Sequence, residues 1–596
     1  MMNIALKKIY LLLFVLLLVQ MDVQAQKTTK TTGDDGIANT TNGTGSNIQY
    51  DSHGNPILGR TNKKDSLQKR DRFADSITIY YRYFDSSRTR RIDSSINDFT
   101  TRFPTPWTYI DLGNFGTAAK SLVFDPRMKS GWDAGFHQYD IYALTLENTK
   151  FFQTTRPYTE LAYLLGAKGE QLIDFNHTQN KRSNLNFAFD YRFINAPGTY
   201  KNQNNSHSNL RFNLFYQTPN KKYGLYLVFI GNSHIASENG GLIDPTKIDS
   251  LQLNDPYELD TRLGISGTSS RNPFNTSIAT GNEYHDKTIL IRQYYDLGKK
   301  DSIVTDSNTI KIFYPRLRLQ HTFTSTSYDY HFYDNNVDSA HYNDYFNIHT
   351  FTGATSISFE DKWSVINNEF SITTFPEKNN LSQFLKVGAA VQNLSGTFGT
   401  IRNNYHNIYL TGEYRNRTRN QVWDIEATGN LYVNGLNSGD YNAYISLQRL
   451  LSRGAGSLRI GFQNVNKTPS FIYSGVSNYG ITVAQSFKKE NITRLFAQYD
   501  NPKLSLKLTG EYSLMNNYSY FDSFFTAKQY SSLFNVLHVG LEKKIKLAKY
   551  WNWYAEIHLQ QVTGDAPVHV PSVLTRNRIA FEGIFFTNLN ISTGVE

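Results

Sequence analysis

Residues 421–434 read QVWDIEATGNLYVN and separate cleanly when taken in twos. Trp423, Ile425, Ala427, Gly429, Leu431 and Val433 fall on one face; Asp424, Glu426, Thr428, Asn430, Tyr432 and Asn434 fall on the other. Side chains of a strand alternate between faces with period two, so this is a strand with one apolar and one polar side. It exceeds the roughly 5–6 residues usual in a soluble sheet and meets the roughly 9–11 needed to cross a bilayer at a tilt. The pattern returns in Asn184–Phe193, Asn209–Gln217, Tyr314–Phe323, Asn407–Arg415, Tyr441–Gln448, Ser457–Gln463, Lys503–Leu514 and Trp551–Gln560. Apolar faces that meet lipid and polar faces that line a lumen predict an all-β fold, a transmembrane antiparallel β-barrel. An exported soluble sandwich or propeller would not need segments of this length with charge kept to one face.

Turns set the sidedness, because such barrels join strands by short turns in the periplasm and longer loops outside. Thr218–Lys222, Asn416–Asn420, Ser452–Gly456 and Lys488–Asn491 read as tight turns, and Asn232 to Asn282, with the Ser/Thr/Gly-rich Gly267–Asn272, as the longest outer loop. The up-and-down order then fails once, at Met515–Ser532, and a short strand at Tyr518–Phe521 repairs it. The chain ends in NLNISTGVE, an alternation that stops at Glu596 with no terminal aromatic residue. Since an open edge in lipid strands backbone polar groups, one or two C-terminal strands are expected to be missing. A complete barrel of about 18–22 strands, even in number, follows.

The N-terminus has a different character. Lys7 and Lys8, the unbroken apolar run Ile9–Val19 and the small residues before Gln26 predict a signal peptide at 1–25 cleaved after Ala25. Residues 26–75, rich in Thr, Gly, Asn and Lys, cannot bury enough surface to order themselves and predict a disordered leader, a spacer or a tether to a periplasmic partner. Residues 76–135 hold the short strand-like runs Ile77–Tyr83 and Ile92–Phe99, then turn formers; they predict an irregular unit that plugs the lumen or supplies the first strands. The barrel is expected over 136–596.

Composition sharpens this picture. Aromatic residues make up 14% of the chain, yet mean hydropathy is −0.48. That pairing suits a barrel with aromatic girdles and disfavours a bundle of membrane helices. The chain has no cysteine, which excludes disulfides, thiolate metal sites and cysteine nucleophiles. A net charge of +10 is spread along the chain and gives no footprint for nucleic acid.

Several stretches resemble a known family. DFTTRFPTPWTYIDLGNFGTA (98–118), GWDAGFHQYD (131–140), TTRPYTELAYLLGAKGEQLIDFNHTQN (154–180), NLNFAFDYRFINAPGTYKNQ (184–203), YQTPNKKYG (216–224) and SENGGLID (237–244) are similar to the putative porin family of Bacteroidetes-type outer membranes. The likeness covers about 70–245 in wording and the remaining barrel in pattern. It implies an outer-membrane channel but brings no catalytic or binding residue with it.

The sequence carries no G-x-S-x-G elbow, H-E-x-x-H pair or Walker A loop. No enzymatic activity, metal or cofactor is expected; an outer-membrane hydrolase would need a Ser–His pair on the lipid face. His137 and His177 stand in the family-like blocks and read as hydrogen-bonding groups, and the Asn-rich Asn202–Asn205 and Asp329–Asp344 as solvated loops. Strand parity points Asp190, Arg192, Arg211, Arg316, Arg318, Glu413, Arg415, Asp424, Glu426, Arg459, Lys507, Glu511, Glu556 and His558 inward as candidate pore-lining residues. Opposed charges of this kind bias which ions and solutes cross a pore, and they also pair across the wall and hold its shape. The expectation is a porin-like channel for passive diffusion of small polar solutes. The alternatives are a plugged or gated nutrient transporter, a secretion-system barrel with a periplasmic partner, and a structural or adhesive barrel acting through its outer loops.

Overall fold

The computed structural model describes residues 79–596 apart from 85–88, 93–102, 265–277, 306–307, 379, 453, 484, 524 and 586–588. The signal peptide, the leader, most of Ile92–Phe99 and Gly267–Asn272 lie outside the described residues. Nineteen strands form the ring. They are β1 (Tyr158–Leu165), β2 (Gln171–Arg182), β3 (Leu185–Ala196), β4 (Asn205–Gln217), β5 (Tyr223–Ser237), β6 (Thr280–Thr305) and β7 (Asn308–Asp334). Next come β8 (Ile357–Thr374), β9 (Gln383–Phe398), β10 (Ile401–Arg417), β11 (Trp423–Gly435), β12 (Tyr441–Ser452) and β13 (Gly456–Lys467). The last six are β14 (Glu490–Asn501), β15 (Leu506–Asn516), β16 (Phe534–Lys546), β17 (Trp551–Thr563), β18 (Val573–Phe585) and β19 (Leu589–Val595). Each pairs antiparallel with the next, and the strand order closes from β19 onto β1. The count among the described residues is odd where an even number was expected, so β19 and β1 run in the same direction. No helix among the described residues is long and apolar enough to cross a membrane.

Alternation sets the wall. On β5, Gly224, Tyr226, Val228, Ile230, Asn232, His234 and Ala236 are buried inward, while Leu225, Leu227 and Phe229 face out. Outward Leu410, Leu431, Ile445 and Ile460 form part of the lipid-facing band. Leu410→Arg is therefore expected to destabilise the folded barrel by about 2–4 kcal/mol, read by urea unfolding in lipid vesicles; a loss under about 1 kcal/mol would place Leu410 outside the hydrocarbon.

Short connections such as 183–184, 218–222, 418–422, 502–505 and 547–550 share one end, the periplasmic end by the rule above; the long ones, 238–279, 335–356, 468–489 and 517–533, share the other. The register of β6 and β7 runs unbroken in pairing down to Thr305↔Asn308, with one irregularity at Leu297/Gly298. Their outer neighbours stop at Tyr295 and Leu317. The pair thus projects as a two-stranded ribbon about 30 Å past the periplasmic rim.

Several sequence expectations change. The ring begins at Tyr158 rather than at residue 136; 136–157 continue the irregular unit, with a 3-10 helix at Asp140–Tyr142 and a strand at Lys150–Thr154 that pairs with Ile79–Tyr83. Lys488–Asn491 is not a tight turn but the end of the outer connection 468–489 and the start of β14. This restores the up-and-down order. The strand expected at Tyr518–Phe521 exists as Tyr518–Ser523, but it forms a hairpin with Thr526–Tyr530 outside the ring. Asp329–Asp334 belongs to β7 and Ser339–Phe346 is a helix, so the loop expected at Asp329–Asp344 shrinks to its middle.

Candidate functional site in the barrel lumen

An irregular segment forms few hydrogen bonds within itself, so its backbone groups need partners. Residues 103–154 find them on the inner wall. Inward Asn and Gln side chains serve its backbone: Asn205 donates to Phe115 (3.1 Å), Asn209 to Tyr142 (2.9 Å) and Asn213 to Lys150 (3.1 Å). Asn232 both accepts from and donates to Leu144, at 3.0 and 2.9 Å. Far around the ring, Gln463 donates to the Met128 carbonyl (3.2 Å), Gln560 bridges Leu122 and Phe124 (both 2.8 Å), and Trp107 donates to Glu556 (2.8 Å). The segment thus crosses the lumen, held by strands on widely separated parts of the wall. Close approach explains two glycines: a Cβ on Gly131 (φ +90°) would lie 2.1 Å from the Tyr432 hydroxyl, and one on Gly135 (φ +102°) 2.5 Å from Ile472. The amide-bearing inward positions carry this arrangement, and a search for charge alone passes over them.

The fourteen candidate residues all stand on the inward alternation. Many of them are engaged with each other. Arg211 and Asp190 form a buried pair (2.8 Å), and Arg211 also reaches the Thr145 carbonyl and Asn148. Arg192 pairs with Asp174 (2.7 Å), Arg318 with Asp296 through two bonds (2.7 and 2.9 Å), and Arg316 donates to the carbonyls of Phe375 and Pro376 at the periplasmic turn. Arg415 joins Glu413 and Glu426 (2.8 and 3.0 Å), with Arg459 beside Glu426 at 3.5 Å; Asp424 lies on the same strand, two residues along. Lys507 pairs with Glu542 (2.5 Å), Glu511 lies 4.0 Å from His538, and His538 meets His558 at 2.9 Å. Arg211 and Glu556 touch the inner segment directly.

A second element closes in from the outer side. Connection 468–489 folds inward, and Phe471 seats its ring against Trp363 and Phe398 at centroid distances of 4.6 and 5.0 Å. Buried carboxylates hold it: Asp361 accepts from Ser477 and Asn478 (2.6 and 2.9 Å), and Asp440 from Thr468 (2.9 Å) and Lys489 (2.5 Å). Asp133 of the inner segment accepts from Ser470 Oγ (2.6 Å), and its carbonyl takes the Phe471 N–H (2.7 Å). Arg127 and His137 complete this latch, at 3.3 and 3.0 Å from Asp133, with His137 also 2.9 Å from Asp140. The latch stands between two cavities. One, of 450 Å³, faces β5–β9; the other, of 350 Å³, lies under connections 468–489, 517–533 and 564–572; Arg127, Asp133 and His137 line both.

The sequence profile of the family described as Putative porin matches residues 77–596. The chain belongs to this porin family. As a member it is an outer-membrane β-barrel. Solved structures of similar fold include the copper transporter OprC, at 10% identity and TM-score 0.47 over 72% of this porin and 65% of that chain. The ferripyoverdine receptor of the outer membrane of Pseudomonas aeruginosa matches at 11% identity and TM-score 0.45 over 76% and 63%. The ferric-catecholate import receptor Fiu from E. coli K12 matches at 9% and 0.45 over 76% and 73%. The porin spans less than two thirds of the length of the first two, and the likeness is one of fold alone. A search of curated proteins finds no match.

The latch of this porin carries a pH dependence. Burial would raise the Asp133 carboxyl, but hydrogen bonding from His137 and the charge of Arg127 outweigh it and hold Asp133 well below the usual carboxylate range. Burial would likewise lower His137, and its hydrogen bonds to Asp133 and Asp140 outweigh that and raise it. A raised histidine contributes its stabilisation in full below the ordinary value and loses it as pH climbs through the raised one. The latch is therefore expected to loosen in alkali: protection from amide hydrogen exchange around Asp133 and Ser470 should fall between about pH 6 and about pH 9, and His137→Phe should abolish the difference. Unchanged pH dependence in the variant would remove His137 from the latch.

Proposed function

We propose that this porin passes small polar solutes through a lumen gated by its own inner segment, rather than through a freely open pore. The crossing of the lumen by residues 103–154, anchored to β3–β5 on one side and β13 and β17 on the other, carries this reading. A solute entering from outside meets the smaller cavity, must displace the Asp133 latch, and then reaches the larger cavity. Steric exclusion limits size, and the charged wall biases which solutes pass.

Single-channel recording in planar bilayers tests it, comparing the full mature chain with one lacking residues 26–154. Brief, low openings in the full chain and steady ohmic conductance in the shortened one are expected. Equal steady conductance in both would overturn gating in favour of passive diffusion. Silence in both, with a verified folded barrel, would overturn the channel itself.

A further inference from the structure

We propose that the larger cavity is a binding site for a small organic solute bearing a protonated amine, an inference that rests on the reading of the lumen as a solute path. Strand register builds the site. Across β5, β6 and β7 one inward row reads His234, Tyr284, Tyr330 and the next reads Asn232, Asp286, Tyr328. Asp286 is thus flanked by an amide and a phenol in its own row, with His234 and Tyr330 on the diagonals, where inward side chains lie within reach of one another.

Charge then selects the ligand. The other charged groups facing this cavity have partners: Arg127 with Asp133 (3.3 Å) and Lys129 with Glu147 (2.7 Å). Among the described residues, Asp286 stands in no ion pair, and its one hydrogen bond comes from Asn232 Nδ2 at 2.9 Å. His234, only 4% exposed, lines the same cavity with neither ring nitrogen hydrogen-bonded. A half-buried carboxylate without a cation and a buried imidazole without a partner are both costly, and a ligand that supplies donors and positive charge relieves both. An ammonium group offers three N–H donors and is attracted to the faces of aromatic rings. Tyr284, Tyr328 and Tyr330 neighbour Asp286 in the register and line the same cavity. An anion would meet an unmatched negative charge. A metal ion would need several clustered ligands, and no group of three or more His, Cys, Asp or Glu suited to one occurs among the described residues.

Isothermal titration of the detergent-solubilised full mature chain decides the matter, with putrescine as probe and 1,4-butanediol as its uncharged counterpart. Saturable binding of putrescine, none of the diol, and weakening by about tenfold or more in Asp286→Asn are expected. Asp286→Glu, which keeps the charge, should retain most of the affinity. Equal titration by amine and diol, no binding of putrescine, or an unaffected Asp286→Asn would each overturn the site. Circular dichroism and heat-modifiable migration verify that the variants fold; if Asp286→Asn does not, the comparison of amine and diol on the unaltered chain decides alone. Binding is read here without transport. A channel that conducts but binds no putrescine overturns the amine site alone, whereas a protein that binds putrescine and never conducts overturns the channel reading alone.

Discussion

Arg211→Ala lowers the stability of the barrel by about 3–5 kcal/mol, the cost of leaving one member of a buried ion pair without its partner. The side chains of Arg211 and Asp190 are 5% and 12% exposed and meet at 2.8 Å. Removing the guanidinium strands the carboxylate, which keeps one amide contact from Asn176, and cuts the bonds to Thr145 and Asn148 that fix the inner segment to β4. The double variant Asp190→Leu/Arg211→Met removes both charges and should recover much of the loss. Urea unfolding in vesicles, followed by tryptophan fluorescence, measures both. A loss below about 1 kcal/mol in Arg211→Ala would mean that the pair behaves as a solvated surface bridge.

Under the proposed gating, Asp133→Ala is expected to raise the open probability by about tenfold or more, since losing a hydrogen-bonded charged group amounts to about 1.5–3 kcal/mol. One carboxylate here gathers Ser470 at 2.6 Å, His137 at 3.0 Å and Arg127 at 3.3 Å. Its loss removes the side-chain half of the hold on connection 468–489, leaving the backbone bonds from Phe471 and Ile472 to Asp133 and Ala134 and the ring of strands intact. Asp133→Asn, which keeps a hydrogen-bonding side chain without the charge, should fall between. Single-channel records compare the three proteins, and an open probability unchanged in Asp133→Ala would show that the segment moves, if at all, without the latch.

What could be read from the sequence follows from which forces repeat. Lipid on one side and a polar lumen on the other impose the same alternation on every strand, so Trp423–Val433 and Trp551–Leu559 announce the barrel and point their charges inward. The inner segment has no such period. It is held by hydrogen bonds from individual side chains, Asn209, Asn232, Gln463 and Gln560, whose partners lie far away in sequence, and nothing local marks them. Lys488–Asn491 misleads because its charges look solvated. Instead Glu490 is buried against Lys467 at 3.2 Å and Lys489 reaches the fully buried Asp440. The Asp and His residues of 329–334 look like a loop because Asp329 and His331 point outward, where Asp329 lies 3.7 Å from Lys362 and His331 meets Ser358 at 2.9 Å, rather than alternating with lipid-facing residues.

The crossing of the lumen also dictates an order of assembly. Strand neighbours are joined through turns or single loops, so the ring can zip up from contacts that close short stretches of chain. The inner segment cannot. Trp107 meets Glu556 across 449 positions, Phe124 meets Gln560 across 436, and Ser470 meets Asp133 across 337. Trp107 and Phe124 have no partner until β17 is in place, and Asp133 waits for connection 468–489, although the segment precedes them all in the chain. The segment can therefore settle first against β4 and β5, through Asn205, Asn209, Asn213 and Asn232, and complete its far contacts only late in assembly.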